Sequence, residues 1–151
     1  MQPEDRELER EFVRGLSASA KHFRFFAAIK DLSDGMLDRF TQVDFPRELA
    51  LIATIEDGAG ETQIGVARYA PGSTPDCVEF AVVVADDWHG RGVGGTLLQC
   101  LFAAARDAGI AQMEGLVLRT NSEMLQLARE LGFDVSKYPG DAEIVRVRKS
   151  L

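Results

Sequence analysis

Residues 82–96 have the sequence Val82-Val83-Val84-Ala85-Asp86-Asp87-Trp88-His89-Gly90-Arg91-Gly92-Val93-Gly94-Gly95-Thr96, in which four glycines fall within six positions. The β-branched residues before them predict a strand, and the apolar residues after them recur at helical spacing. Glycine lets backbone N–H groups approach a ligand closely, and a helix N-terminus adds unpaired N–H donors and partial positive charge. The segment therefore predicts a diphosphate cradle made of Gly90, Arg91, Gly92, Val93, Gly94, Gly95 and Thr96.

Two known classes of diphosphate-binding motif do not match the cradle. No Gly-Lys-Ser/Thr follows the glycines, so the segment is not a P-loop. The segment also matches the dinucleotide-binding motif poorly, because the segments before it have the pattern of a hairpin meander rather than of a βαβ unit. A glycine-rich turn that binds nothing is the remaining alternative.

The chain on both sides of the cradle predicts an α/β fold. Apolar spacing through Met36, Leu37 and Phe40 indicates a helix, and residues 49–55, 62–69 and 78–84 then predict three strands joined by the turn at residues 57–60 and the loop at residues 71–76. Beyond the cradle we expect a helix ending at Gly109, a strand over residues 113–118, a helix that Asn121 caps and Gly132 closes, and a strand over residues 142–147. The predicted order is helix, three strands, helix, strand, helix, strand.

Composition limits the class of protein. A length of 151 residues indicates a single domain, residues 1–151, and the net charge of -7 argues against nucleic acid while it suits a cationic substrate such as an amine. Two cysteines without a CxxC pair and two histidines give no metal site, and Cys77, in the predicted loop, has no histidine to make it a nucleophile. The charged N-terminus and the lack of a run of ~18 apolar residues predict a cytoplasmic protein with no signal peptide and no membrane span.

Two motifs carry a resemblance to a known family. His89-Gly90-Arg91-Gly92-Val93-Gly94 resembles the pyrophosphate motif of GNAT superfamily N-acetyltransferases, Q/R-x-x-G-x-G/A, and the stretch from Asn121 to Leu131-Gly132-Phe133 resembles their second motif. Further runs, such as Ile64-Gly65-Val66-Ala67-Arg68 and Glu79-Phe80-Ala81-Val82-Val83-Val84, resemble the acetyltransferase domain of bacterial protein lysine acetyltransferases. The likeness covers roughly residues 5–148. Two departures are His89 at the first motif position and Ala128 where many members have a tyrosine as general acid.

The resemblance implies a mixed, strongly bent sheet of about six strands with helices on both faces, and acetyl-CoA as cosubstrate without a metal. It implies that Val82, Val83 and Val84 pair with the pantetheine arm and that residues 90–96 hold the pyrophosphate. Asn121 would bind the CoA arm, or be a plain N-cap, or both. Glu79 would be the base, its pKa raised by burial between Val78 and Phe80; a surface glutamate is the alternative.

The sequence is compatible with more than one acceptor amine. The resemblance favours a protein lysine, a small amine is the alternative, and a CoA-binding regulatory module without turnover is a third hypothesis, since the tyrosine acid is missing. Tyr69 or Tyr138 could supply the proton if the fold brings either one near. We expect Trp88 to pack under the loop and Arg68 to pair with Asp44 or Glu48 or to be solvated. The oligomeric state is open, a homodimer included.

Overall fold

The computed structural model describes residues 1–18, 20–21, 33–42, 44–58 and 60–151. In these ranges one six-stranded mixed sheet has the order β1-β2-β3-β4-β6-β5. The strands are β1 Leu49–Asp57, β2 Gly60–Pro71, β3 Cys77–Val84, β4 Gln112–Leu118, β5 Asp134–Lys137 and β6 Ile144–Ser150. Only β3 and β4 pair in parallel, and the other described neighbours are antiparallel. The predicted α/β class and the mixed sheet of about six strands that the resemblance implies are confirmed.

Two predictions about the last strands were wrong. β5 was not predicted, because its four residues are all exposed and carry no apolar alternation; it forms only by pairing with β6. β6 begins at Ile144 instead of residue 142, because Asp141 turns the chain back and its carboxylate accepts from the Glu143 N–H at 2.9 Å.

The helices begin and end at the residues that cap them. The helices with bounds in the described ranges are α1 Arg6–Arg14, α2 Asp34–Thr41, α3 Val93–Asp107 and α4 Ser122–Glu130, with short 3-10 turns at Pro3–Asp5 and Asp86–Trp88. The Ser33 side chain accepts from the Met36 N–H at the start of α2. Gly109 and Gly132 follow α3 and α4 with positive φ, as expected for residues that end a helix. No helix in the described ranges is long and apolar enough to cross a bilayer.

Helices cover both faces of the sheet, as predicted. Adjacent residues of β2 point to opposite sides, so Val66 packs with α1 and α2 while Ala67 joins the larger core with α3 and α4. We call these sides the α1 face and the α3 face. The larger core contains Leu98, Leu101 and Met113, all fully buried.

A buried ion pair joins α1 to the sheet. Arg68 donates to Glu9 Oε2 at 3.0 Å and to the Phe40 carbonyl at 3.0 Å, so it links β2 with α1 and α2. Burial lowers the pKa of Arg68, and the Glu9 carboxylate opposes that effect. The expectation that Arg68 pairs directly with Asp44 or Glu48 was therefore wrong. The aromatic run at residues 22–26 lies outside the described residues.

Candidate active site

The site begins where the two parallel strands separate. β3 and β4 pair only over residues Cys77 to Glu79 and Gln112 to Glu114 in the part of the chain that the structure describes. Beyond that point β3 stays paired with β2 as far as Val84, while its other edge has no strand partner among the described residues. Strand pairing does not use the backbone N–H and C=O groups along that edge, so those that no side chain occupies are available to a ligand.

A cavity of about 840 Å³ fills the gap between the separated strands. Phe80 and Val82 line it from the α3 face, and Ser17, Ala20 and Val83 line it from the α1 face. The cavity therefore passes through the sheet, and a ligand bound on one face can meet a second ligand that enters from the other. Of the predicted binding residues, Val82, Val83, Val84, Gly90, Gly92, Val93, Gly94, Gly95 and Asn121 all line it.

The backbone of the cradle has a geometry that requires glycine at two positions. Gly90 and Gly92 have φ of 74° and 82°, and Gly92 is the N-cap of α3. The first N–H groups of α3 have no acceptor within the helix, while the Thr96 N–H is donated to the Gly92 carbonyl at 3.0 Å. A Cβ on Gly94 would stand 3.5 Å from Leu127 and 3.6 Å from Val84, so the cradle faces α4 across a narrow cleft.

Two predicted cradle residues lie beside the cavity, not in its lining. Thr96 is exposed on the first turn of α3. The Arg91 guanidinium lies 4.8 Å from the centroid of the Trp88 ring. Trp88 itself is half-buried and lines the cavity. The contact between Arg91 and Trp88 therefore stabilises the loop beside the cavity.

His89, the departure from the motif, bridges the two walls of the cleft. Its Nε2 donates to the Val84 carbonyl at 2.8 Å, and its Nδ1 lies 3.5 Å from Glu123 Oε2 at the start of α4. The Asn121 side chain caps the same helix end, accepting from the Met124 N–H at 3.2 Å. Asn121 is therefore an N-cap, as predicted, and it lines the cavity as well.

Glu79 stands at the closed end of the gap. It is exposed, so the prediction that it is buried between Val78 and Phe80 was wrong. Side chains alternate along a strand, so Val78 and Phe80 are buried toward the α3 face while Glu79 lies on the α1 face with Val83. Glu79 does not line the 840 Å³ cavity itself; its neighbour Phe80 does.

Glu114, the β4 partner of Glu79, was missed by sequence reasoning. Its buried carboxylate accepts from the Ser73 N–H at 2.8 Å and from Arg148 at 2.8 Å. Burial alone would raise the pKa of Glu114, but these hydrogen bonds outweigh it and lower the pKa to about 2. The signal in the sequence was the pair Arg146 and Arg148, at alternate positions of the last strand, because such arginines can pair with a buried carboxylate on the neighbouring strand.

Other candidate groups are not arranged for chemistry. Cys77 is not in a loop as predicted, since it begins β3 and is buried; burial and the nearby Glu114 raise the pKa of its thiol to about 11. Ala128 is fully buried in the core. Tyr69 donates to the Pro46 carbonyl at 3.1 Å, and neither Tyr69 nor Tyr138 is among the described residues that line the cavity. The described residues contain no group of three or more metal-ligating side chains.

Separated parallel strands, a through-going cavity and a glycine cradle at a helix start together form a site that suits a cosubstrate with a diphosphate and an extended arm. The model of the acetyltransferase (GNAT) family matches residues 17–133, and the chain belongs to this family of acetyl-CoA-dependent enzymes. A Pseudomonas aeruginosa protein known as an acetyltransferase is 34% identical over 151 residues, which are 100% of this chain and 81% of that relative.

Two further comparisons are with a solved structure and with a relative whose name states its acceptors. The crystal structure of the GNAT domain of S. lividans PAT superposes with a TM-score of 0.89 at 32% identity, covering 100% of this chain and 88% of that one. An L-methionine sulfoximine/L-methionine sulfone acetyltransferase of Pseudomonas aeruginosa is 36% identical over 56% of this chain and 51% of its own length.

Proposed function

We propose that this enzyme transfers the acetyl group of acetyl-CoA to the ε-amine of a lysine in a protein, with Glu79 as the base. The observation that carries the proposal is the exposed carboxylate of Glu79 at the closed end of the gap between β3 and β4. The likeness to the PAT domain over the whole chain supports the same branch of the family.

The proposed acetyl-CoA site uses backbone more than side chains. The pyrophosphate would accept from the N–H groups at the start of α3, within residues 90–96, where the cradle glycines leave room. The pantetheine arm would lie along the unpaired edge of β3 at Val82, Val83 and Val84, and Asn121 would contact it from α4. A cavity of about 840 Å³ is large enough for this arm and its acyl end.

The acceptor would enter from the α1 face, where Glu79 and Val83 lie. A lysine amine has a pKa near 10.4 and is mostly protonated at neutral pH, so it must lose a proton before it attacks. Glu79 takes that proton, directly or through one water, and the nitrogen lone pair attacks the thioester carbonyl carbon. A backbone N–H of β3 stabilises the resulting oxyanion.

The leaving group needs no dedicated acid. When the tetrahedral intermediate collapses, its nitrogen gives up a second proton to solvent, the C–S bond breaks and the thiolate leaves with the bonding electron pair. A thiol of this kind has a pKa of about 8.5, so the thiolate is a tolerable leaving group and water can protonate it afterwards. This accounts for a buried alanine at position 128, where many family members have a tyrosine.

A small amine is the second candidate acceptor, and the relative that acetylates methionine sulfoximine and sulfone favours it. Thioester consumption by the purified chain, in buffer with EDTA, separates the two. A lysine-containing peptide, L-methionine sulfone and spermidine are compared, and mass spectrometry identifies the acetylated atom. We expect the peptide lysine to be acetylated. Turnover of L-methionine sulfone or spermidine alone would overturn the protein acceptor, and acetyl-CoA binding with no turnover would indicate a binding module.

A further inference from the structure

A second, smaller recess lies on the α1 face beyond the gap between β3 and β4. It has a volume of about 320 Å³ and is lined by Gln112, Asp134, Ser136, Arg146, Arg148 and Ser150, which belong to β4, β5 and β6. Glu79, Glu114 and Arg148 are successive register partners across β3, β4 and β6, so they share one face of the sheet. The recess is therefore a polar extension of the surface that carries Glu79.

The two arginines of the recess are not equivalent. Arg148 donates to Glu114 Oε2 at 2.8 Å, and the other oxygen of Glu114 is used by the Ser73 N–H. The Arg146 Nε is 3.8 Å from the same Glu114 oxygen, beyond hydrogen-bond distance. Glu114 thus hydrogen-bonds to Arg148 but forms only a longer ion pair with Arg146, whose guanidinium also lies 5.5 Å from the centroid of the Tyr138 ring.

The neighbours of Arg146 give it no other carboxylate. Its register partners are Leu116 on β4 and Ser136 on β5, while Asp134 stands opposite Arg148. Among the described residues its Nε is buried without a hydrogen-bond partner, yet 30% of the side chain is exposed at the recess. The exposed part of the Arg146 side chain lines the recess, where its guanidinium can bind a carboxylate through charge-assisted hydrogen bonds.

We propose that Arg146 binds an acidic side chain of the protein acceptor, so that the enzyme selects lysines with Glu or Asp nearby in the sequence. The inference rests on the proposed acetylation of protein lysines. Leu116, the β4 partner of Arg146, lines the acetyl-CoA cavity, so the recess adjoins the reacting centre. Glu79 lies on β3 and Arg146 on β6, two strands away, which is a distance of about 10 Å across the sheet. An extended peptide rises about 3.4 Å per residue, so an acidic residue two or three positions from the lysine can reach Arg146.

The test compares two blocked peptides, Ala-Glu-Glu-Ala-Lys-Ala-Glu-Glu-Ala and the same peptide with Gln for every Glu. For the unaltered enzyme we expect KM for the acidic peptide to be lower by about tenfold, as for a charge-assisted arginine–carboxylate contact. Arg146→Gln should reduce this ratio to about twofold or less and leave KM for acetyl-CoA and kcat with the neutral peptide unchanged. Arg106→Gln is the matched control, because it removes the same charge from an exposed position on α3.

Three outcomes would overturn the inference. Equal KM values for the two peptides with the unaltered enzyme would show that no acidic group is recognised, while the proposed lysine acetylation would stand. Acetylation of neither peptide would remove the proposed function and this inference together. An effect of Arg146→Gln on a free amino acid acceptor but not on the peptides would assign the recess to an α-carboxylate instead.

Discussion

The ring of Phe80 packs directly over Gly115, with its nearest carbon 2.6 Å from the position that a Cβ on residue 115 would occupy. These residues follow Glu79 and Glu114, the last register pair of the parallel strands. Phe80 also contacts Phe133, with ring centroids 5.1 Å apart. The ring therefore holds its position at the point where β3 and β4 separate, and glycine on β4 is what gives it room.

Gly115→Ala tests this packing. The added methyl group must displace the Phe80 ring, which lines the cavity, so we expect the free energy of unfolding to fall by about 1–3 kcal/mol and acetyl-CoA affinity to weaken. Urea unfolding and calorimetry measure the two effects. Gly35→Ala is the control, because a Cβ there would meet nothing within 4 Å. A Gly115→Ala protein as stable and as tightly binding as the control would contradict the role of the pair.

Gly94→Leu tests the cradle. An alanine at this position makes only ordinary contacts with Leu127 and Val84, at 3.5 and 3.6 Å, so Gly94→Ala should bind acetyl-CoA with little change. A leucine fills the cleft between α3 and α4, and we expect affinity to fall tenfold or more, about 1.4 kcal/mol. Calorimetry on folded variants measures this. Equal affinities for the leucine and alanine variants would argue against a ligand between the cradle and α4.

The pH dependence of stability tests the carboxylate of Glu114. Its pKa is lowered from 4.5 to about 2, so the stability it contributes is fully present above pH 4.5 and is lost as the pH falls toward 2. Glu114→Gln should cost about 2–3 kcal/mol at pH 7, and the difference from the unaltered protein should shrink below pH 4.5. Urea unfolding across this range measures it. A difference that stays constant down to pH 3 would contradict the lowered pKa.

Local signals explain which features could be predicted from the sequence. The meander, the cradle and the Asn121 cap each depend on residues close together in the chain, and the structure has all three. The exposure of Glu79 could not be predicted in this way, because it depends on which face of β3 the helices cover. The contact between Glu114 and Arg148 joins residues 34 positions apart, and β5 has no apolar pattern of its own.

The central claim is tested most directly with the variant Glu79→Gln, by measuring its turnover of a lysine peptide and its affinity for acetyl-CoA. Glutamine keeps the shape but cannot take the proton, so kcat should fall by roughly 10²–10⁴ while acetyl-CoA affinity stays nearly intact. Part of the loss should be recovered at high pH, where more of the amine is already neutral. Glu61→Gln, at an exposed position on β2, should behave as the unaltered enzyme. A folded Glu79→Gln protein with unaltered turnover at neutral pH would contradict the assignment of Glu79 as the base.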